Sequence, residues 1–226
     1  MKCILRRRSP RPAEVKARAT NVSIAARIAA IVLMISNGAL PAASDDEPGG
    51  LETMRALALE LLRVQDYDGS IEVYREITKH TPDDPKSHYD LAAALSFIKR
   101  YEEAVEPIRA AIRLEPNNAR AQEMAALIYL NLKRYEEAFD ATLKSAELGE
   151  PTAMYSLVNM YERGLGVAAN PDKAVHWAIQ AAEHGHLGAM ALLEEAYRTG
   201  RLGRAVDTAR ADAWANRLRK AEGATD

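Results

Sequence analysis

With 226 residues, 48% of them hydrophobic and 27% charged, the chain holds enough apolar material for a sizeable core and falls outside the disordered class. Aromatic residues make up only 6% while alanine is abundant, which excludes a core of large rings and favours closely approaching helices. Thirty basic residues against 32 acidic ones leave the whole chain near neutrality, but the charges are unevenly distributed.

The first 44 residues stand apart. Lys2, Arg6, Arg7, Arg8, Arg11, Lys16, Arg18 and Arg27 face a single acid, Glu14, and an uncharged stretch follows over 28–43. A basic start, a short apolar segment and small residues at its end form the three-part pattern of a secretory signal. The strongly apolar part, 28–35, is shorter than the roughly 20 residues that cross a bilayer, and Asn37, Gly38 and Pro41 come after it. Residues 1–44 are therefore expected to be a signal peptide, cut after Ser44, with an uncleaved membrane anchor as the alternative. Ser9 and Pro10 follow Arg6-Arg7-Arg8 where a twin-arginine signal needs an apolar residue, and Cys3 precedes the apolar segment, unlike the cysteine of a lipoprotein. Without the leader, 22 basic and 31 acidic residues remain, a net charge of −9. An acidic chain with no basic stripe speaks against nucleic acid as a partner. The remaining chain has no cysteine. The expected location is the periplasm or exterior of a Gram-negative bacterium, with 45–50 as a short linker.

From residue 51 the sequence repeats itself. KRYEEAV at 99–105 returns as KRYEEAF at 133–139, a displacement of 34 positions. Tyr67, Tyr101 and Tyr135 share that spacing, as do Ser70, Ala104 and Ala138, Leu57, Leu91 and Ala125, and Ala58, Ala92 and Ala126. Three units result, near 51–84, 85–118 and 119–150. Within the second, Leu91, Leu95 and Ile98 mark one helix and Ala104, Ile108, Ala111 and Ile112 another. Asp84-Pro85 and Asn118 supply helix starts, and Pro82 and Pro116 stop the preceding helices. One such helix pair leaves its apolar face wet, so neighbours must stack. This pattern of small residue, Tyr, Ala, Ala and Pro over 34 residues resembles the tetratricopeptide repeat family. Met54, His88 and Gln122 stand where that family usually has tryptophan.

Beyond residue 149 the period lengthens to 36. Gly149 and Gly185, Ala153 and Ala189, Met154 and Met190, Leu157 and Leu193, Tyr161 and Tyr197, and Gly164 and Gly200 obey it. The run over 149–188 is similar to the Sel-like repeat, a relative of the tetratricopeptide unit with a longer turn. Gly164 and Gly166 suit the positive backbone angles of that turn, and Asn170-Pro171 starts the next helix. Trp214 falls 37 after Trp177, so the second turn carries one extra residue, and the worn last copy suits a capping helix near 207–221. The resemblance implies an all-α fold: a right-handed α-solenoid of about five antiparallel helix pairs, with three tetratricopeptide repeats over 51–150 and two Sel-like repeats over 151–222, the last ending in the capping helix.

Catalytic chemistry finds little support. Ser96-Phe97-Ile98-Lys99 has the S-x-x-K form of penicillin-interacting enzymes, yet the companion S-D-N and K-T-G motifs are missing. Some Sel-like proteins are cysteine-rich and linked to β-lactam hydrolysis; those cysteines are not here. His184-Gly185-His186 with Glu183 and His176 can be drawn as a metal site, but glycine between the histidines makes a turn. No enzyme activity, cofactor or metal is expected, and hydrolysis of cell-wall or β-lactam compounds is the least favoured reading.

What the tetratricopeptide resemblance does imply is a concave face on the first helices of the units. Its positions are Arg55, Leu59 and Arg63, then Lys86, Tyr89, Ala93 and Phe97, then Arg120, Glu123, Leu127 and Asn131, and finally Tyr155 and Asn159. A basic rim around Tyr89, Phe97 and Tyr155 suits an extended segment or a helix of a protein or peptide partner. The expectation is an exported adaptor in an envelope assembly. Its alternative is a membrane-tethered assembly factor for secretion or polysaccharide export, with the membrane involved only if the leader stays. Oligomeric state is open.

Overall fold

A computed structural model describes residues 50–223, and the expected signal segment lies outside them. Among the described residues there are ten α-helices, one 3₁₀ turn and no strand. None of the helices is long and apolar enough to cross a membrane. Two compact bodies divide the chain, the first ending at Thr81 and the second starting at Pro82.

The first body is one hairpin, α1 (Gly50–Arg63) and α2 (Tyr67–His80). Met54, Ala58, Leu61, Ile71 and Ile77 form its seam, each at most 1% exposed. Ser70, fully buried, donates its hydroxyl to the Ala58 carbonyl at 2.8 Å, so a polar residue at a helix contact remains satisfied.

The second body stacks four hairpins: α3 (Pro85–Phe97) with α4 (Tyr101–Leu114), α5 (Ala119–Asn131) with α6 (Tyr135–Glu147), α7 (Pro151–Arg163) with α8 (Pro171–Glu183), and α9 (Leu187–Thr199) with α10 (Thr208–Glu222). Each pair packs on itself, and α4 on α5, α6 on α7 and α8 on α9 continue the stack, which is the arrangement of an α-solenoid. The small residues of the periodic series lie at the contacts: Ala92, Ala104, Ala125, Ala138 and Ala189 are all fully buried, as are Ala174 and Ala211. A methyl group is what permits two helix backbones to approach there. Burying Ile108, Ile128, Leu157 and Leu193 completely contributes roughly 2 kcal/mol per side chain.

Local chemistry explains the helix ends. Side chains of Asp66, Asp84, Asn118, Asn170, His186 and Asp207 each accept a first-turn amide, of α2, α3, α5, α8, α9 and α10 respectively. Pro107 sits inside α4, where its missing N–H removes one ladder bond. Buried Ala104, Val105, Ile108 and Ala111 hold that helix by packing despite the loss.

Two kinds of turn join the helices of a pair. The 34-residue units use three-residue turns with Gln65, Lys99 and Lys133 in the left-handed region, φ 64°, 63° and 59°. The following N–H groups of Asp66, Arg100 and Arg134 reach back to the carbonyls of Leu61, Leu95 and Tyr129 at 2.8–2.9 Å, closing the helix end. The 36-residue units use long turns pinned at their far end: Asn170 N–H donates to the Tyr161 carbonyl and Asp207 N–H to the Tyr197 carbonyl, both at 2.8 Å. The extra residue of the last unit is absorbed before that anchor, in a 3₁₀ turn, Arg201–Gly203. Arg201 there forms two 3.1 Å bonds to Glu162, at the end of α7. The matching residues Lys173 and Arg210 lie over the rings of Tyr161 and Tyr197, each 5.4 Å from the centroid.

Candidate binding groove

On α5, Arg120, Glu123, Leu127 and Asn131 are spaced by three, four and four residues, which places them along one face of the helix. That face borders two clefts. The first, of about 360 Å³, lies between the starts of α3 and α5: it is lined by Lys86, Tyr89 and Asp90, by Arg120 and Ala121, and by Ala111 of α4 with Glu115 just past its end. The second, of about 230 Å³, lies where Glu123, Ala126, Leu127, Leu130 and Asn131 meet Thr142 of α6 and Ala153 and Ser156 of α7.

The two clefts differ in chemistry. In the first, Lys86 and Arg120 form no ion pair among the described residues, while Asp90 and Glu115 border the same space, so its polarity is mixed. Burial pushes the Tyr89 hydroxyl above its usual range, partly opposed by the Arg120 guanidinium. The second cleft is mainly apolar. Leu127 and Leu130 remain 46% and 38% exposed on it. Asn131 donates to the Leu127 carbonyl at 2.8 Å, which steadies its amide and leaves the amide oxygen for an N–H from a partner.

The remaining expected groove positions are not among the residues lining these two clefts. Arg55, Leu59 and Arg63 belong to the first body, where Arg55 is buried and bonded to Glu52, Arg63 is paired with Glu60, and Leu59 is exposed. Phe97 ends α3 at 68% exposure and lines neither cleft. Ala93 is half-buried on α3, and Asn159 is exposed on α7. Tyr155, also on α7, stacks on His186 with ring centroids 4.5 Å apart.

The residues weighed for chemistry have structural surroundings. Ser96 is buried in α3, and Lys99 is exposed in the following turn with φ 63°. His176 lies edge-on to Trp177, His184 Nδ1 is 2.9 Å from the Gln180 carbonyl, and His186 caps α9. Among the described residues no three His, Cys, Asp or Glu side chains are grouped to hold a metal.

A third cleft, of about 640 Å³, was not foreseen from the sequence. It lies on the second helices, between Arg109, Ile112 and Arg113 of α4 and Glu137, Asp140, Ala141 and Lys144 of α6, with Tyr129 at its floor. Arg109 donates to the Tyr129 hydroxyl at 3.0 Å and contacts Glu137 at 3.4 Å, and Arg134 pairs with Glu137 and lies over the Tyr129 ring at 5.0 Å. The Arg134 bond holds the Glu137 carboxyl below its usual range. These charges satisfy one another and tie α4, α5 and α6 together. Position 129 carries no repeat signal, since its counterpart 34 residues earlier is Leu95.

Solved structures share this fold. A Sel1 repeat protein from Oxalobacter formigenes aligns with a TM-score of 0.51 and 23% identity over 66% of this chain, which spans 61% of that protein. MamA from Desulfovibrio magneticus RS-1 aligns with a TM-score of 0.55 and 18% identity, covering 78% of this chain and 97% of its own. YrrB, described as a tetratricopeptide repeat protein with an unusual peptide-binding site, aligns with a TM-score of 0.52 and 15% identity, covering 75% of this chain and 85% of its own. No curated protein matches the chain in sequence. The tetratricopeptide repeat model matches residues 55–114 and again 96–156. Residues 55–156 thus carry tetratricopeptide repeats, and the chain shares the fold of solved Sel1 and tetratricopeptide repeat proteins.

Proposed function

We propose that this chain is an exported, periplasmic adaptor that holds a segment of a partner protein along the α5 face and contributes no chemistry of its own. The observation that carries the reading is the pair of half-exposed leucines, Leu127 and Leu130, beside Asn131 in an apolar cleft between hairpins. Apolar side chains left open next to a fixed amide are what an extended segment needs: a pocket for a side chain and a hydrogen bond for its backbone. The likeness in fold to YrrB, a tetratricopeptide protein with a peptide-binding site, supports a binding role of this type. The leader pattern over 1–44 supports export.

A photo-crosslinking side chain placed at position 127 in cells, followed by mass spectrometry of the envelope fraction, tests the reading. A single dominant partner, lost in Leu130→Asp while helicity stays unchanged, is the expected outcome. Crosslinks spread evenly over abundant proteins, or unaffected by Leu130→Asp, remove the α5 face from consideration. N-terminal sequencing of the exported chain is expected to begin at Asp45, and a start upstream of residue 28 would indicate a retained anchor.

A further inference from the structure

Of the six helices capped by a side chain among the described residues, five use an oxygen of Asp or Asn. Helix α9 is different: its cap is His186, whose Nδ1 accepts the Ala189 N–H at 3.1 Å, sharing that amide with the His186 carbonyl at 3.0 Å. The same ring stacks on Tyr155 of α7, with centroids 4.5 Å apart and planes 20° from parallel. Gly188 makes room for the arrangement, because a Cβ there would lie 3.1 Å from His186 Cε1 and 3.7 Å from Tyr155 Cζ. Thirty-six residues earlier, the equivalent Glu150 precedes α7 without a side-chain cap, so the histidine cap is particular to this joint.

We propose that His186 is a proton-released cap: acidification removes the side-chain bond at the first turn of α9 and eases the opening of that turn. A neutral imidazole has one lone pair to offer and spends it on Ala189; a protonated one carries N–H on both nitrogens and has none. The added positive charge also stands at a helix N-terminus, where the helix dipole opposes it. The ring's neighbours are Tyr155 of α7 and Gly188, and Glu183 and His184 precede it in the chain at the end of α8. His184 is engaged by the Gln180 carbonyl, and burial, not any of these charges, holds the proton affinity of His186 below the usual histidine range. The sign follows from that depression. The cap is intact above the ordinary histidine value, and its contribution is lost as pH falls through the lower value of the folded chain.

Hydrogen exchange of the Ala189 and Met190 amides in the full chain, corrected for the intrinsic pH dependence of exchange, tests this between about pH 7.5 and about pH 5. Opening of these amides is expected to become about fivefold easier in acid, the loss associated with one helix cap. His186→Asn keeps a capping oxygen that does not titrate, and its protection should stay level over the same range. A level profile in the wild type, or an equal loss in His186→Asn, overturns the proposal. A second readout needs no variant: the Tyr155 ring resonances must shift with the midpoint of His186 itself, and resonances that stay fixed through that midpoint also overturn it.

Discussion

The turn between α5 and α6 and the turn between α7 and α8 connect helices of the same length in neighbouring hairpins, yet they tolerate different residues. In the first, Lys133 occupies the left-handed region at φ 59° with its side chain exposed. A side chain there costs roughly 1–2 kcal/mol, and the hydrogen bond from Arg134 N–H to the Tyr129 carbonyl closes the turn regardless. In the second, Gly164 and Gly166 have φ 70° and 71°, values close to that of Lys133, so backbone angle alone does not explain the choice of glycine. What separates them is the neighbour. A Cβ on Gly166 would fall 1.9 Å from the Tyr135 carbonyl oxygen and 2.4 Å from its carbon, whereas the nearest atoms to a Cβ on Gly164 lie at 3.5 Å. The longer turn leans on the preceding hairpin, and glycine is demanded at the point of contact.

This contrast can be broken most decisively at Gly166. Replacing it with alanine combines a left-handed side chain with a backbone collision, and a loss of about 3–5 kcal/mol is expected. Urea denaturation followed by circular dichroism measures it; a loss under about 1 kcal/mol would mean that the turn does not rest on Tyr135. Gly164→Ala sharpens the comparison, since it has the same angle without the collision. Its cost should be only about 1–2 kcal/mol in the same experiment, and equality of the two variants would contradict the argument from contact. Lys133→Gly has the smallest effect and the opposite sign. Relief of the left-handed side chain outweighs the added freedom of the unfolded chain, for a gain of about 0.5 kcal/mol, or about 1–2 °C in a thermal scan. A lower midpoint would show that Lys133 has stabilising contacts beyond the turn.

Much of this molecule is legible from one strand of letters. The 34- and 36-residue periods, the caps at Asp84, Asn118 and Asn170 and the glycines of the long turn all coincide with features of the helices, because capping and turn geometry depend on residues within a few positions of one another. The groove was legible in part. The series Arg120, Glu123, Leu127 and Asn131 lies along one helix, so its common face follows from helical spacing. Ala153 and Ser156, which complete the apolar cleft, come from the next hairpin and have no such periodic link to α5. The clip formed by Arg109, Tyr129 and Glu137 has no sequence signal for the same reason: Tyr129 and Glu137 are 20 and 28 residues from Arg109, and position 129 differs between repeats. The spelling His184-Gly185-His186 announces a turn, but the His186 cap and its ring stack depend on a rotamer that the letters do not specify.

What the amino-acid order determined unaided is that the chain forms helix pairs and that the pairs must stack, since each helix has one apolar stripe and no pair can cover its own. Tertiary structure alone decided which side chains remain open after stacking: Leu127 and Leu130 half-exposed, Arg55 buried, Tyr155 occupied by His186. The physical reason is distance. Periodicity and capping act over one or two helical turns, whereas exposure is set by whatever the next hairpin brings within contact, and that depends on the angle and spacing at which two helices settle.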